Sequence, residues 1–384
     1  MPFNLRRLWF AGVVASALVG CSSSDSFEEP LPVPDVVSSV ELEEVWDVTI
    51  GDGFDEQYLQ LSPLYAGDVI YVVSADGQLI AVDSEQGTFI WTRNLESRIL
   101  AGVGGDPGHL YVVTGDAELL ALNPESGEAL WQVPLPNEVI GTPRSNGQVV
   151  VAQTNDGKVL AFDTATGEKR WQYDGVIPVL TLRAAASPLV GRDMTLVSFA
   201  NGRVFALDSR SGQPLWQYSV GEPQGRTELE RLVDVTSEPL IMEGVALVTG
   251  YQGKLALIDL RSGQEIWSRE SSSLRSPVIA EGNIYVAEAN GKIQAYDGNT
   301  RRVVWTQEQL GWRQTTQPLV VDDYLLVGDY EGYIHLLSLE DGSFQGQLEF
   351  DDDGLLVPMQ RIGDRVLVYG NSGKLTLFEL ESRD

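Results

Sequence analysis

The sequence predicts an all-β fold, an eight-bladed β-propeller of four-stranded antiparallel blades closed by an N-terminal strand that completes the last blade. Three observations predict it. The phrase Ala81-Val82-Asp83, Gly87, Trp91 returns down the chain at intervals of about 40 residues. A second signature, a proline followed by a Gly-Asp-like turn and a β-branched run, precedes nearly every copy. One further strand, Val45-Trp46-Asp47-Val48, carries a tryptophan but has no inner strands of its own. Four short strands in about 40 residues, repeated, is the pattern of propeller blades.

The first twenty residues read as a targeting segment outside the fold. Arg6 and Arg7 precede an apolar run from Leu8 to Val19. That run is shorter than the roughly 20 residues of a membrane-spanning helix and fits the apolar region of a signal peptide. It ends in Leu18-Val19-Gly20-Cys21, which resembles the bacterial lipobox. The resemblance implies removal of residues 1–20 and acylation of Cys21. Because Ser22 rather than an aspartate follows, it implies a lipid anchor at the periplasmic face of the outer membrane. Several acyl chains bury enough CH₂ groups, at about 0.8 kcal/mol each, for stable attachment. A conventional signal peptide with an incidental cysteine is the alternative. Residues 21–40, with Ser, Glu and alternating Pro, read as a flexible tether, and residues 41–384 as the propeller.

Within a unit, Ala81 and Val82 end a strand, Asp83 caps the backbone N–H groups of a turn, and Gly87 takes the left-handed position that a side chain resists. The phrase runs from Trp91 through Trp131, Trp171 and Trp216 at spacings of 40, 40 and 45 residues, then to Trp267 and Trp305. Arg301 replaces the glycine in the sixth copy; in the seventh, Ser338 replaces Asp and Gly346 replaces Trp. The upstream prolines are Pro63, Pro143, Pro188, Pro239, Pro277, Pro318 and Pro358, with Gly102 standing in the second unit. The eighth unit reaches Asp384 without a tryptophan strand, so the strand at Trp46 is expected to pair with it and close the ring. The tryptophans are expected to pack between blades. The aspartates, one per blade, are too far apart to share an ion.

The formal charge of −29 excludes nucleic acid as a partner, since nothing in the chain could neutralise a row of phosphates. It also excludes electrostatic binding to anionic lipid. It reads as a solvated acidic surface, with a saline habitat as a further explanation. Cys21 is the single cysteine, so the monomer forms no internal disulfide. His109 and His335 stand alone, with no catalytic partner visible by spacing.

The Ala-x-Asp-x-x-x-Gly-x-x-x-Trp phrase is similar to the repeat of the pyrroloquinoline-quinone-dependent dehydrogenases, which are eight-bladed propellers. That likeness brings an enzyme reading with it. Those dehydrogenases, however, use a vicinal disulfide over the cofactor and a calcium site, whereas this chain has one cysteine and is shorter. With its lipobox, tether, eight repeats and two lengthened connections, nearly the whole chain resembles the propeller lipoproteins of the outer-membrane β-barrel assembly machinery. This resemblance implies a non-catalytic scaffold, without cofactor or metal, that binds the periplasmic domains of the barrel-inserting subunit. It further implies help for unfolded outer-membrane β-barrel proteins in reaching that subunit, for which pairing of a blade edge with a nascent strand is a plausible mechanism. An outer-membrane-anchored propeller that binds peptides or glycans is the alternative.

The two connections that break the period are the candidate binding elements. Val176 to Arg183 follows Trp171 and shows Leu180, Leu182 and Arg183 where an exposed loop is expected; Gly221 to Ser237 follows Trp216 and contains Leu229, Arg231 and Asp234. The resemblance implies that the partner-binding leucine pair and arginine fall on Leu180, Leu182 and Arg183, and that the acidic loop falls on Asp234, with Thr236 where a second acidic residue would stand. The other readings are packing of Leu180 and Leu182 against the blades and a bridge from Arg183 to Asp234.

Overall fold

The computed structural model describes residues 28–54, 58–182 and 186–383. The signal peptide and Cys21 fall outside these residues, as does Arg183. The described chain forms eight four-stranded antiparallel sheets, in each of which sequence neighbours pair, except that the last sheet takes its outer strand from the N-terminus. Blade 1 runs Leu64–Ala66, Val69–Val73, Gln78–Asp83 and Phe89–Asn94. Its second and third strands are apolar and almost wholly buried because neighbouring blades cover both faces. The outer strand is exposed apart from a half-buried Trp91.

Ring closure follows the expected scheme. Strand Val40–Thr49 pairs antiparallel with Lys374–Ser382, outside Arg365–Tyr369 and Gln360–Ile362. Every other outer strand carries a bulge one residue before its tryptophan position: Ala81 opposes Trp91 and Val82 opposes Phe89, so Ile90 is skipped. The N-terminal strand repeats this, with Glu44 opposite Phe378, Trp46 opposite Leu377 and Val45 skipped. It is therefore a true fourth strand, sharing the geometry of its seven counterparts. Across the junction with blade 1, Tyr369 Oη donates to Val73 O at 3.0 Å and Gln360 Nε2 donates to Pro63 O at 2.7 Å.

Five of the repeat tryptophans clasp the next blade. Trp91 Nε1–H donates to Pro124 O, Trp131 to Thr164 O, Trp171 to Ser209 O, Trp216 to Leu260 O and Trp305 to Leu339 O, at 2.8–3.1 Å. Beneath the ring lies the turn glycine. At Gly87, whose φ is +67°, an added Cβ would stand 2.7 Å from Trp46 Cδ2, so the site requires glycine for its backbone and for its space. In the sixth copy Arg301 holds the same left-handed φ, +62°, and its guanidinium lies 5.8 Å from the Trp267 ring. The turn aspartates act as caps: Asp83 Oδ1 accepts from Glu85 N and Gln86 N at 3.0 and 2.8 Å.

The absent seventh tryptophan has a geometric reason. Its clasp would fall on the turn between the third and fourth strands of blade 8, but those strands come from the two ends of the chain and no turn joins them. Gly346 instead abuts the N-terminal strand, where an added Cβ would stand 2.3 Å from Val40 O.

Ahead of that strand, the segment read as a tether is fastened at two points. Leu31 N donates to Gly311 O at 2.9 Å, and Ser39 N donates to Gln345 O on the outer strand of blade 7 at 2.7 Å. Arg313, 1% exposed, donates to Leu31 O at 2.8 Å while pairing with Asp329 at 2.7 Å and Glu331 at 2.5 Å. Burial alone would raise the Asp329 carboxyl, but hydrogen bonds from His335 and Arg313 outweigh it and hold the group below the usual carboxylate range.

Candidate functional site

The loops that join one blade to the next share a face of the ring with those between the second and third strands. On that face the two lengthened connections lie side by side. After Trp171 the chain is first held down: Gly175 N donates to Gly157 O at 2.9 Å, and Asn201 Nδ2 donates to Val176 O at 2.8 Å. It then turns outward, leaving Val176 77%, Val179 100% and Leu180 41% exposed. Leu182 is half-buried, and its N–H donates to Asp234 Oδ2 at 3.2 Å.

Asp234 is thus a fastener between the two connections. It is 1% exposed, and its own carbonyl accepts from Tyr251 N at 2.7 Å. Burial pushes its carboxyl up to about 7, against the opposing pull of backbone N–H groups of Leu182 and Val235. The resemblance implies an acidic loop at Asp234. The structure places the carboxylate inside, between Leu182 and the strand after it, because Leu232, Val233 and Val235 around it are apolar and draw that part of the loop into the core.

The exposed part of the second connection has its own small frame. Thr227 Oγ1 accepts from Glu230 N at 3.1 Å while Glu230 Oε2 accepts from Arg226 N at 2.7 Å and Thr227 N at 3.1 Å, a reciprocal Thr-x-x-Glu box. That box presents Leu229, 70% exposed, and exposed Arg231. The spacing of Thr227 and Glu230 was available in the sequence as a signal that this insertion has fixed shape.

Further in, a polar funnel of about 450 Å³ lies over the ring axis, crossed by an ion pair between Arg144 and Glu238 at 3.0 Å. Beside Leu182 lies a smaller, more apolar cavity, whose lining residues come from several blades and gave no signal in the repeat. Glu288 on its wall is pushed up by burial, with Ser272 N–H and Ser271 Oγ–H donating to it.

The histidines require a correction, since each has a carboxylate partner. His109 Nδ1 lies 2.9 Å from Asp106 Oδ1, its hairpin neighbour, and His335 Nε2 lies 2.8 Å from Asp329 Oδ2. Spacing missed both because a turn, not a helix, brings the partners together. At the first pair the neighbouring hydroxyls bind the carboxylate, Ser145 Oγ and Tyr111 Oη donating to Asp106 Oδ2 rather than to an imidazole, and at the second His335 Nδ1 lies 3.2 Å from Gln347 Nε2. Among the described residues, no group of three or more His, Cys, Asp or Glu side chains is placed to hold a metal ion.

Fold and loops together define an eight-bladed propeller with tryptophan-clasped blades and one face bearing exposed apolar connections. A family model described as outer membrane protein assembly factor BamB matches residues 42–98, 81–307 and 274–368. The chain is 60% identical over 381 residues to a BamB of Marinobacter adhaerens, covering 99% of this chain and 98% of that one. The chain belongs to the BamB family of outer membrane protein assembly factors. Its structure is similar to the crystal structure of BamB from Moraxella catarrhalis, with a TM-score of 0.80 and 26% identity over 88% of this chain and 100% of that one. A quinohemoprotein alcohol dehydrogenase from Comamonas testosteroni shares the fold alone, with a TM-score of 0.68 at 14% identity over 89% of this chain and 76% of that one.

Proposed function

We propose that this protein is a non-catalytic scaffold lipoprotein of the outer-membrane β-barrel assembly complex. It is anchored through Cys21 at the periplasmic face of the outer membrane and holds the periplasmic domains of the barrel-inserting subunit. The observation that carries this reading is the pairing of exposed Leu180 with a buried fastener two residues on, Leu182 N–H to Asp234. A rigid ring that presents an apolar side chain on a fixed loop has the build of an interface anchor. In this reading Leu180 and Leu182 supply the apolar contact, Arg183 and Arg231 supply cations, and Asp234 positions the first loop. Unfolded outer-membrane β-barrel proteins are the clients delivered to the complex. No cofactor takes part.

The test is co-purification. Arg183→Glu and Leu180→Asp should each abolish recovery of the barrel-inserting subunit with the propeller while leaving the melting temperature within a few degrees of wild type. Recovery equal to wild type in both variants overturns the proposal and favours a propeller that binds peptides or glycans on its own. The anchor is tested separately: with the lipoprotein signal peptidase blocked, the precursor should accumulate uncleaved, and normal processing would remove the lipid anchor from the reading.

A further inference from the structure

The cavity beside Leu182 is walled by Tyr58, Leu182, Leu274, Ala287 and Ala289 and measures about 200 Å³. An apolar cavity of roughly 150 Å³ already holds a benzene ring. Thr315 lines the same cavity and is 4% exposed. Two charged groups belong to the lining. Arg275 is a donor whose Nε–H is already committed to Thr315 O at 3.0 Å, and Glu288 is an acceptor.

We propose that this cavity is a side-chain pocket: it takes one large apolar side chain, aromatic or branched, from an extended segment of the protein partner that docks on Leu180. The segment's backbone C=O is received by Arg275 and its N–H by Glu288. The proposal rests on the scaffold reading for the identity of that partner, and it deepens it. Leu182 joins the two features, since its backbone is tied to Asp234 under the exposed loop and its side chain forms one wall of the pocket. Volume argues for a single side chain rather than a helix face, and the flanking donor and acceptor argue for an extended backbone rather than a free hydrocarbon ligand.

The experiment uses the whole mature chain and two probes. N-acetyl-L-phenylalaninamide at millimolar concentration should shift the methyl resonances of Leu182, Leu274, Ala287 and Ala289, whereas N-acetylglycinamide should not. The second probe is the purified periplasmic fragment of the barrel-inserting subunit. Ala289→Phe fills the pocket; it should abolish the phenylalaninamide shifts and weaken fragment binding by about tenfold or more, with the fold intact by melting temperature. If Ala289→Phe does not fold, Ala289→Leu carries the same readouts. Absence of methyl shifts in the wild-type chain, or wild-type fragment binding by the filled variant, overturns the pocket. In the latter case loss of binding in Leu180→Asp leaves the scaffold reading standing. Loss of the phenylalaninamide shifts in Ala289→Phe alongside normal fragment binding by both Leu180→Asp and Arg183→Glu upholds the pocket and sinks the scaffold reading instead.

Discussion

The indole N–H of Trp46 donates to the carbonyl oxygen of Ser84 at 3.1 Å, joining the N-terminal strand of blade 8 to the turn of blade 1. This bond is the same clasp that five other tryptophans make, but only here does it close the ring. Trp46→Ala removes the hydrogen bond and empties a buried site, at a cost of about 3–5 kcal/mol by the usual range for buried tryptophan. Deleting residues through Val48 removes the whole strand and exposes the edge of Lys374–Ser382, and is expected to unfold the ring. Thermal unfolding of both variants checks this; a truncated chain that melts with the wild type would refute closure by this strand.

Much of this was legible in the sequence because blades repeat. The phrase at Ala81 to Trp91 is a local turn and a local bulge, and both recur at fixed offsets, so period and blade count follow from the chain alone. Closure was legible for the same reason: Trp46 marks a fourth strand with no inner strands of its own before it. The site was legible only as an interruption. Leu180 could be picked out because it breaks the period, but the fastening role of Asp234 could not be read, since its donor, Leu182 N–H, arrives from another blade. Tyr58, Thr315 and Arg275 meet only in three dimensions, and the Asp106–His109 and Asp329–His335 pairs hide in turns.

The turn position of the sixth blade offers a contrast between two substitutions. Arg301→Gly relieves a left-handed φ worth about 1–2 kcal/mol but forfeits the contact with Trp267, about 0.5–1 kcal/mol for a partly exposed cation over a ring. The melting temperature should therefore stay level or rise slightly. Gly87→Arg, at the matching position of blade 1, should instead lower it by several degrees, because an added Cβ meets Trp46 at 2.7 Å. Equal effects in the two blades would show that the turn does not seat the tryptophan.

Arg313 ties the N-terminal segment to the ring and neutralises a buried carboxylate at once. Arg313→Met leaves Asp329, 0% exposed at its side chain, with only His335 and backbone partners. Breaking one side of such a pair costs about 3–5 kcal/mol. The double variant Arg313→Met with Asp329→Asn should recover part of that loss, and denaturant unfolding of the singles and the double measures the coupling. Deleting residues through 36 removes Leu31 alone from the network and should cost less than Arg313→Met. A truncation as damaging as Arg313→Met would mean that the Leu31 carbonyl, not the carboxylate, is the group that matters.

Asp234 predicts a pH dependence of definite sign. Its folded value, about 7, lies above the ordinary carboxylate value of 3.8, so between those limits the folded chain holds a proton that the unfolded chain has lost. The unfolded state then binds fewer protons, and stability falls as pH rises through the window. The contribution is fully present below about pH 4 and gone once the buried carboxyl has ionised. Its full size is on the order of 4 kcal/mol for a shift of about three units. Asp234→Asn cannot ionise and removes this slope while keeping an oxygen to accept from Leu182 N–H. The stability of wild type minus that of Asp234→Asn, measured by denaturant unfolding from pH 4 to pH 8, should therefore decline with pH and level off near 7.5. Because the ionised form still accepts from Leu182 N–H, the loop should keep its place above pH 7, and partner binding should change far less than stability does. A difference that is flat across the range would show that Asp234 ionises as an ordinary surface carboxylate, and would remove it as the buried fastener beneath Leu180.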